Sequence, residues 1–134
     1  MKRPLLFTGI SGAMAVGLGA LGAHALKNKM EAGLITADQL NAFDTAARYQ
    51  MYHTLAIALV LFISHYHPSK TLTWSLRLFT AGIVLFSGSL YLLSTRQLLN
   101  AEWLTALGPV TPLGGLCFMG GWLCMGYITL KKVN

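Results

Sequence analysis

Residues 4–26 read PLLFTGISGAMAVGLGALGAHAL, a run of 23 residues without Asp, Glu, Lys or Arg. A helix needs about 20 predominantly apolar residues to cross the roughly 30 Å hydrocarbon core of a bilayer. Pro4 suits the first turn of such a helix, where a missing N–H is tolerated. This stretch therefore predicts a transmembrane helix.

Three further stretches are nearly uncharged and long enough to span a membrane, namely 49–66, 77–95 and 110–130. In the last of them, Thr111 and Pro112 suit a helix N-cap and a first helical residue. We predict that residues 1–134 form one all-α domain, a bundle of four transmembrane helices.

The composition fits this class of protein. The chain is 54% hydrophobic and only 10% charged, and its mean hydropathy is +0.57, whereas soluble domains carry charge at about a quarter of positions. The net charge of +6 does not indicate nucleic-acid binding, because the basic residues are spread along the edges of the apolar runs. Cys117 and Cys124 are seven residues apart on one predicted helix, about 10 Å, which is too far for a disulfide.

The first apolar run has one alternative interpretation. Lys2-Arg3 before an apolar stretch, with Ala23-His24-Ala25 near its end, resembles a secretory signal. The run is longer than a usual signal core and rich in glycine, and three other spans would lack its packing surface. We expect it to be retained.

The positive charges predict an orientation. Six basic residues flank one side of the four spans: Lys2, Arg3, Lys70, Arg77, Lys131 and Lys132. Four flank the other side, together with all four acids: Lys27, Lys29, Arg48 and Arg96 with Glu31, Asp38, Asp44 and Glu102. By the positive-inside rule the first side is cytoplasmic, which places both termini there.

The segment before the second span has helical features. Thr36 and Gln39 have the spacing of a capping box, Leu40, Phe43 and Ala47 recur at helical spacing, and Asp44 and Arg48 are placed to pair. We predict a short amphipathic helix between spans one and two, lying on the outer leaflet. The alternative is that these residues extend span two into water.

Small residues predict where helices approach closely, because transmembrane helices associate through backbone proximity and hydrogen bonds. The predicted packing positions are Ser11, Ala15, Gly19 and Ala23 in span one and Gly115 and Gly120 in span four. A second ladder, Gly9, Ala13 and Gly17, runs beside the first. Packing within the bundle is favoured over a homodimer face.

Polar residues concentrate in the outer half of the predicted bundle. They are His24, Tyr49, Gln50, His53, Ser87, Ser89, Tyr91 and Thr111. Such a cluster is typical of interhelical hydrogen bonding, the favoured interpretation, or of a ligand site between helices. His24 and His53 offer two imidazoles for a haem or a metal, a weaker hypothesis because two histidines alone are a poor signal.

No motif for catalysis is present. The sequence lacks a P-loop, an H-E-x-x-H and a C-x-x-C-H. Apart from Arg77 at the edge of the third span, no charged residue lies inside a predicted span, which disfavours ion-coupled transport. We therefore expect no enzyme activity, no cofactor, no metal and no nucleic-acid partner.

Four runs together resemble the YgdD/YwdK-like family of small inner-membrane proteins, and the resemblance covers nearly the whole chain. They are GALGAHAL at 19–26, FDTAARYQMYH at 43–53, FSGSLY at 86–91 and TPLGG at 111–115. The resemblance implies a four-span protein of bacterial inner (plasma) membranes, with relatives in animal membranes, and it carries no catalytic residue to transfer.

We expect a non-enzymatic accessory or assembly component that contacts the lipid bilayer and either a membrane-protein partner or a second copy of itself. The alternative function is binding or transport of a small molecule, a lipid or a quinone, at the outer-half polar cluster.

Overall fold

The structure is a computed structural model that describes residues 2–130. Lys131 and Lys132, which contribute to the predicted orientation, lie outside the described residues. Four helices in this range are long and apolar enough to cross a membrane. They are α1 (Lys2–Glu31), α2 (Ala37–Tyr66), α3 (Lys70–Thr95) and α4 (Val110–Tyr127), the last preceded by a 3-10 turn at Glu102–Leu107 and followed by another at Ile128–Leu130. The predicted all-α, four-helix fold is confirmed.

Helices α1 and α2 are each 30 residues long, about 45 Å at 1.5 Å per residue, which exceeds the hydrocarbon thickness. Of the two alternatives for the segment before span two, the structure shows the extension, since the helix is continuous from Ala37 to Tyr66. The predicted capping box is present, with Gln39 N donating to Thr36 Oγ1 and Thr36 N donating to Gln39 Oε1. Asp44 and Arg48 form the predicted ion pair at 2.8 Å.

The turn from α1 to α2 requires a left-handed residue. Gly33 supplies it with φ +76°. Gly33 N donates to Met30 O and Leu34 N donates to Lys29 O, the paired hydrogen bonds of a Schellman motif. This motif ends α1 and turns the chain back toward the membrane within five residues.

Helix α2 is the centre of the bundle. Of its most apolar 18-residue window, 44% is buried, against 17% for the windows of α1 and of the last helix. The main core joins α2, α3 and α4 around Ile57, Val60, Leu72, Phe79 and Phe118. A smaller core around Leu26, Ile35 and Phe43 fixes the projecting ends of α1 and α2.

Helices α3 and α4 approach each other most closely at glycines. A Cβ at Gly114 would overlap the backbone nitrogen of Phe86, a Cβ at Gly121 would lie 2.6 Å from the Phe79 ring, and a Cβ at Gly82 would overlap the Phe118 ring. These contacts leave no space for a side chain, so the three glycines set the distance between the two helices.

Two short π-helical segments interrupt the helices, Gly22–Leu26 in α1 and Ile83–Ser87 in α3. The start of α4 also differs from the prediction. The helix begins at Val110, with Pro109 at the cap position and no side-chain cap. Thr111 is therefore inside the first turn, where its hydroxyl is directed to α3 instead of capping its own helix.

Candidate functional site

Gln50 on α2 joins three helices. Its Nε2 donates to the Ser11 carbonyl of α1 at 3.0 Å, and its Oε1 accepts from the Tyr91 hydroxyl of α3 at 2.7 Å. One turn further along α2, the Thr54 hydroxyl bonds the Ser11 hydroxyl at 2.7 Å. Gln50, Ser11 and Thr54 are all buried, so this network stabilises the contact between α1, α2 and α3.

His53 connects α2 with α4. Trp122 Nε1 donates to His53 Nε2 at 3.2 Å, while His53 Nδ1 lies 2.7 Å from the Tyr49 carbonyl. Because an indole nitrogen only donates and a carbonyl only accepts, the imidazole is neutral with its proton on Nδ1. The imidazole also stacks on the Phe118 ring, with centroids 3.4 Å apart and planes 6° from parallel. Both ring nitrogens and one ring face are therefore occupied.

Serines of α3 complete the interhelical hydrogen bonds. Ser87 donates to the Ala46 carbonyl of α2 at 2.8 Å. The hydroxyls of Ser89 and Thr111 bond at 2.6 Å, joining α3 to α4. Toward the other end of the same pair of helices, Ser75 donates to the Gly121 carbonyl at 2.8 Å.

The structure places the eight predicted cluster residues in different environments. Gln50 and Tyr91 bond each other, Ser89 and Thr111 bond each other, and Ser87 and His53 bond other groups. Tyr49 is 40% exposed, and its ring packs on Phe86. His24 lies in the π-helical segment of α1 and is exposed. Six of the eight side chains thus hydrogen-bond within the bundle.

His24 and His53 do not face each other. His24 is on the exposed side of α1, whereas His53 is buried between α2 and α4 with both nitrogens bonded. A haem or metal bound through both would require these bonds to break. Within residues 2–130, no three His, Cys, Asp or Glu side chains are grouped for metal binding.

Three residues of the network were not predicted from the sequence: Trp122, Thr54 and Ser75. Trp122 lies deeper in its helix than an interfacial aromatic residue would, which was a usable signal for a specific partner. Thr54 lies four residues after Gln50, so it shares the same helical face. For Ser75, nothing in the sequence except its polarity pointed to an interhelical hydrogen bond.

Of the four predicted packing residues of α1, two are buried and two make no close contact. Ser11 and Ala15 are buried against α2, but Ala23 is exposed and a Cβ at Gly19 would meet nothing within 4 Å. Gly22 approaches α2 closely instead, because a Cβ at Gly22 would lie 3.0 Å from a ring carbon of Phe43.

In α4, the predicted glycines are neighbours of the residues that pack. A Cβ at Gly115 would lie 3.9 Å from the Phe86 ring and one at Gly120 would lie 3.3 Å from Leu78. Gly114 and Gly121 are closer to α3 than either and are buried. Gly115 and Gly120 therefore lie on opposite flanks of the face that contacts α3, each about 110° around the helix from its centre.

A second small-residue face remains open on α1. Gly9, Ala13 and Gly17 are exposed, and a Cβ at Gly9 or Gly17 would meet nothing within 4 Å. We call these three residues the outer ladder. Ala13 is two residues, or about 200° around the helix, from Ser11 and from Ala15. The outer ladder therefore lies opposite the first ladder at this level, and not beside it as predicted.

Comparison with known proteins places this fold among membrane proteins. Residues 18–115 match a family described as a protein of unknown function (DUF423). The UPF0382 membrane protein YwdK of Bacillus subtilis is 38% identical over 98% of both chains. The UPF0382 inner membrane protein YgdD of Escherichia coli is 40% identical over 96% of this chain and 91% of its own. A UPF0382 membrane protein of Haemophilus influenzae is 35% identical over 98% and 96%. No solved structure matches the chain.

Proposed function

Since the chain belongs to the DUF423 family of membrane proteins, we propose that it is a non-enzymatic accessory or assembly component that associates within the membrane through the outer ladder of α1. The four spanning helices bring it into contact with the lipid bilayer. Its association partner is a second copy or another membrane protein.

The open outer ladder is the observation that carries this proposal. Small residues at four-residue spacing let two helix backbones approach within van der Waals contact, which is the main source of helix association in lipid. Gly9, Ala13 and Gly17 have this spacing and have no neighbour against them within the described bundle. The ladder is thus free to accept a helix from outside.

The polar residues support a non-enzymatic role. A nucleophile or general base must be free to approach a substrate. Six side chains of the outer-half cluster instead form hydrogen bonds with one another, with helix carbonyls or, for His53, with the Trp122 indole. Their arrangement explains how four apolar helices are held in one register.

The same bonds weaken the alternative of a lipid or quinone site at this cluster, since a ligand would have to compete with them. His53→Ala tests the alternative. Retention of native lipids and quinones equal to that of the parent protein would eliminate it.

We further propose that both termini are cytoplasmic and that the membrane is the bacterial inner (plasma) membrane. Two observations support this proposal: four is an even number of candidate spanning helices, and six of the ten basic residues flank the side that we assign to the cytoplasm. A membrane-impermeant thiol reagent tests this in a Cys117→Ser, Cys124→Ser background. Cysteine at Asn28 should be labelled in intact spheroplasts, whereas cysteine at Ser69 should be labelled only after the membrane is opened.

The association is tested in protein extracted gently from native membranes. Size-exclusion chromatography with light scattering, followed by mass spectrometry of co-purifying proteins, should show a defined oligomer or a stoichiometric partner. Gly9→Leu and Gly17→Leu should shift the protein toward the monomer, because leucine keeps two backbones apart.

Gly126→Leu is the matched control, since Gly126 is also exposed with no atom within 4 Å of its Cβ position, but lies on α4. It should leave the assembly unchanged. A parent protein that is a monomer without a partner would contradict the proposal.

A further inference from the structure

A groove runs between α1 and α3 at the end of the bundle where both helices begin. It has a volume of about 710 Å³ and is open along one side. Its walls are mainly apolar, with Phe7 from α1, Ile57 from α2, and Leu76, Val84 and Leu85 from α3. A groove of this composition suits a hydrocarbon chain that lies along the helices.

Two arginines also line the groove, Arg3 of α1 and Arg77 of α3. Both are exposed. The Arg77 guanidinium lies over the Trp74 ring, 5.1 Å from its centroid. Stacking uses one face of the planar guanidinium and leaves its N–H edge available for a phosphate.

The charges at this end of the bundle are unbalanced. All four acidic side chains of the sequence belong to the opposite end, and there Arg48 pairs with Asp44 and Arg96 lies 3.4 Å from Glu102. Within residues 2–130, neither Arg3 nor Arg77 forms an ion pair. Two arginines beside an apolar groove, with no acidic side chain at that end among residues 2–130, are complementary to an anionic amphiphile.

We infer that this groove binds one phospholipid with an anionic headgroup. Its phosphate lies between Arg3 and Arg77, which donate charge-assisted hydrogen bonds. One acyl chain lies along Phe7, Ile57 and Leu85. Basic pockets between transmembrane helices at the headgroup level are suited to such lipids.

This inference is independent of the outer ladder. The groove uses the side of α1 that faces α3, whereas Gly9, Ala13 and Gly17 lie on the other side of the helix. Lipid binding and helix association can therefore be tested separately, and either can fail alone.

The experiment measures lipid retention by the full chain. Native mass spectrometry of detergent-purified protein, titrated with phosphatidylglycerol or with phosphatidylcholine of the same chain length, should show one retained phosphatidylglycerol and weaker retention of phosphatidylcholine. Arg77→Gln and Arg3→Gln should each weaken phosphatidylglycerol binding about fivefold, the effect expected for one basic residue near a lipid surface. They should weaken phosphatidylcholine binding by less, because the choline cation of that lipid offsets the attraction between its phosphate and the arginines.

Two controls separate the groove from general charge attraction. Lys29→Gln removes one exposed positive charge at the opposite end, and it should leave retention unchanged. Ala81→Phe fills the groove without changing charge, and it should reduce retention, whereas Met119→Phe on the exposed surface of α4 should not.

Three results would overturn the inference. They are equal retention of the two lipids by the parent, unchanged phosphatidylglycerol binding in Arg77→Gln and Ala81→Phe, and an equal loss in Lys29→Gln.

Discussion

Trp122 and His53, 69 residues apart in the sequence, share a hydrogen bond in which the indole donates to the imidazole. This bond sets the tautomer of the histidine, because Nε2 must accept and Nδ1 is left to donate to the Tyr49 carbonyl. The histidine thus acts as a neutral bridge between α2 and α4 rather than as a free base.

Trp122→Phe keeps an aromatic ring and removes the indole donor. We expect a loss of about 0.6 kcal/mol in the free energy of unfolding, the average for an interhelical hydrogen bond in a membrane protein. Reversible unfolding in mixed micelles measures it. Trp103→Phe, at a position that is 74% exposed, should have no effect.

Nitrogen-15 NMR of the parent should show the His53 proton on Nδ1, and a proton on Nε2 would contradict the assignment.

Gln50→Leu removes the residue that bonds both Ser11 and Tyr91. Two interhelical hydrogen bonds are lost, so the expected cost is about 1–2 kcal/mol. A double-mutant cycle with Tyr91→Phe should give a coupling energy of at least about 0.5 kcal/mol, since the two side chains are in contact. Gln97→Leu is the control, because Gln97 is exposed in the turn after α3. If the effects of Gln50→Leu and Tyr91→Phe on the free energy of unfolding were strictly additive, the Gln50–Tyr91 hydrogen bond would contribute nothing to stability.

Gly114→Ala places a methyl group against the Phe86 backbone. Backbone cannot rotate away as a side chain does, so α4 must move from α3 at a cost of about 1–3 kcal/mol. Gly126→Ala in the same helix meets open space and should leave stability unchanged or slightly raised. Thermal unfolding of the two variants in one detergent compares them directly. Equal unfolding midpoint temperatures for Gly114→Ala and Gly126→Ala would mean that the close approach at Gly114 does not set the distance between α3 and α4.

Thr36→Ala removes the N-cap of α2. The loss of a capping side chain costs about 1 kcal/mol, and it should appear as fraying of the first turn rather than as global unfolding. Hydrogen exchange at residues 37–40 should become several-fold faster, while exchange at residues 50–60 stays the same. Thr105→Ala, whose hydroxyl bonds only the Glu102 carbonyl in its own turn, should leave both regions unchanged.

The spans were predictable because an uncharged run of 20 residues has few alternatives to a membrane helix. The ends of α1 and α2 were harder to place. Charged residues such as Lys27, Lys29 and Asp38 mark where the hydrocarbon ends, but a helix continues in water when its caps and packing support it. The Thr36 capping box and the Phe43 contact with Gly22 extend both helices past that limit.

The packing faces were predicted less well because a four-residue ladder does not follow a helix face for long. Each step of four residues turns about 40° past a full turn, so Ala23 lies about 120° from Ser11 while Gly22 lies only about 20° from it. The same geometry places Gly114 and Gly121, seven residues apart, on one face. Which of two adjacent ladders meets a neighbour depends on tertiary contacts that no single helix encodes.

The polar cluster was located correctly as a region, but its bonds depend on which helices are neighbours. Gln50 and Tyr91 are 41 residues apart, and nothing in the local sequence pairs them. The sequence showed only that Trp122 lies deeper in its span than an aromatic residue at the membrane interface would.

The long separation of Trp122 from His53 has a consequence for biogenesis. Ribosomes add about 5–20 residues per second, so α2 can enter the membrane several seconds before the partner of its histidine is made. Gln50 can bond α1 as soon as the first two helices meet, but His53 Nε2 has no partner until α4 arrives. During that interval the imidazole lacks its indole donor, and we expect a chain truncated before α4 to remain bound to the insertion machinery longer than the complete one.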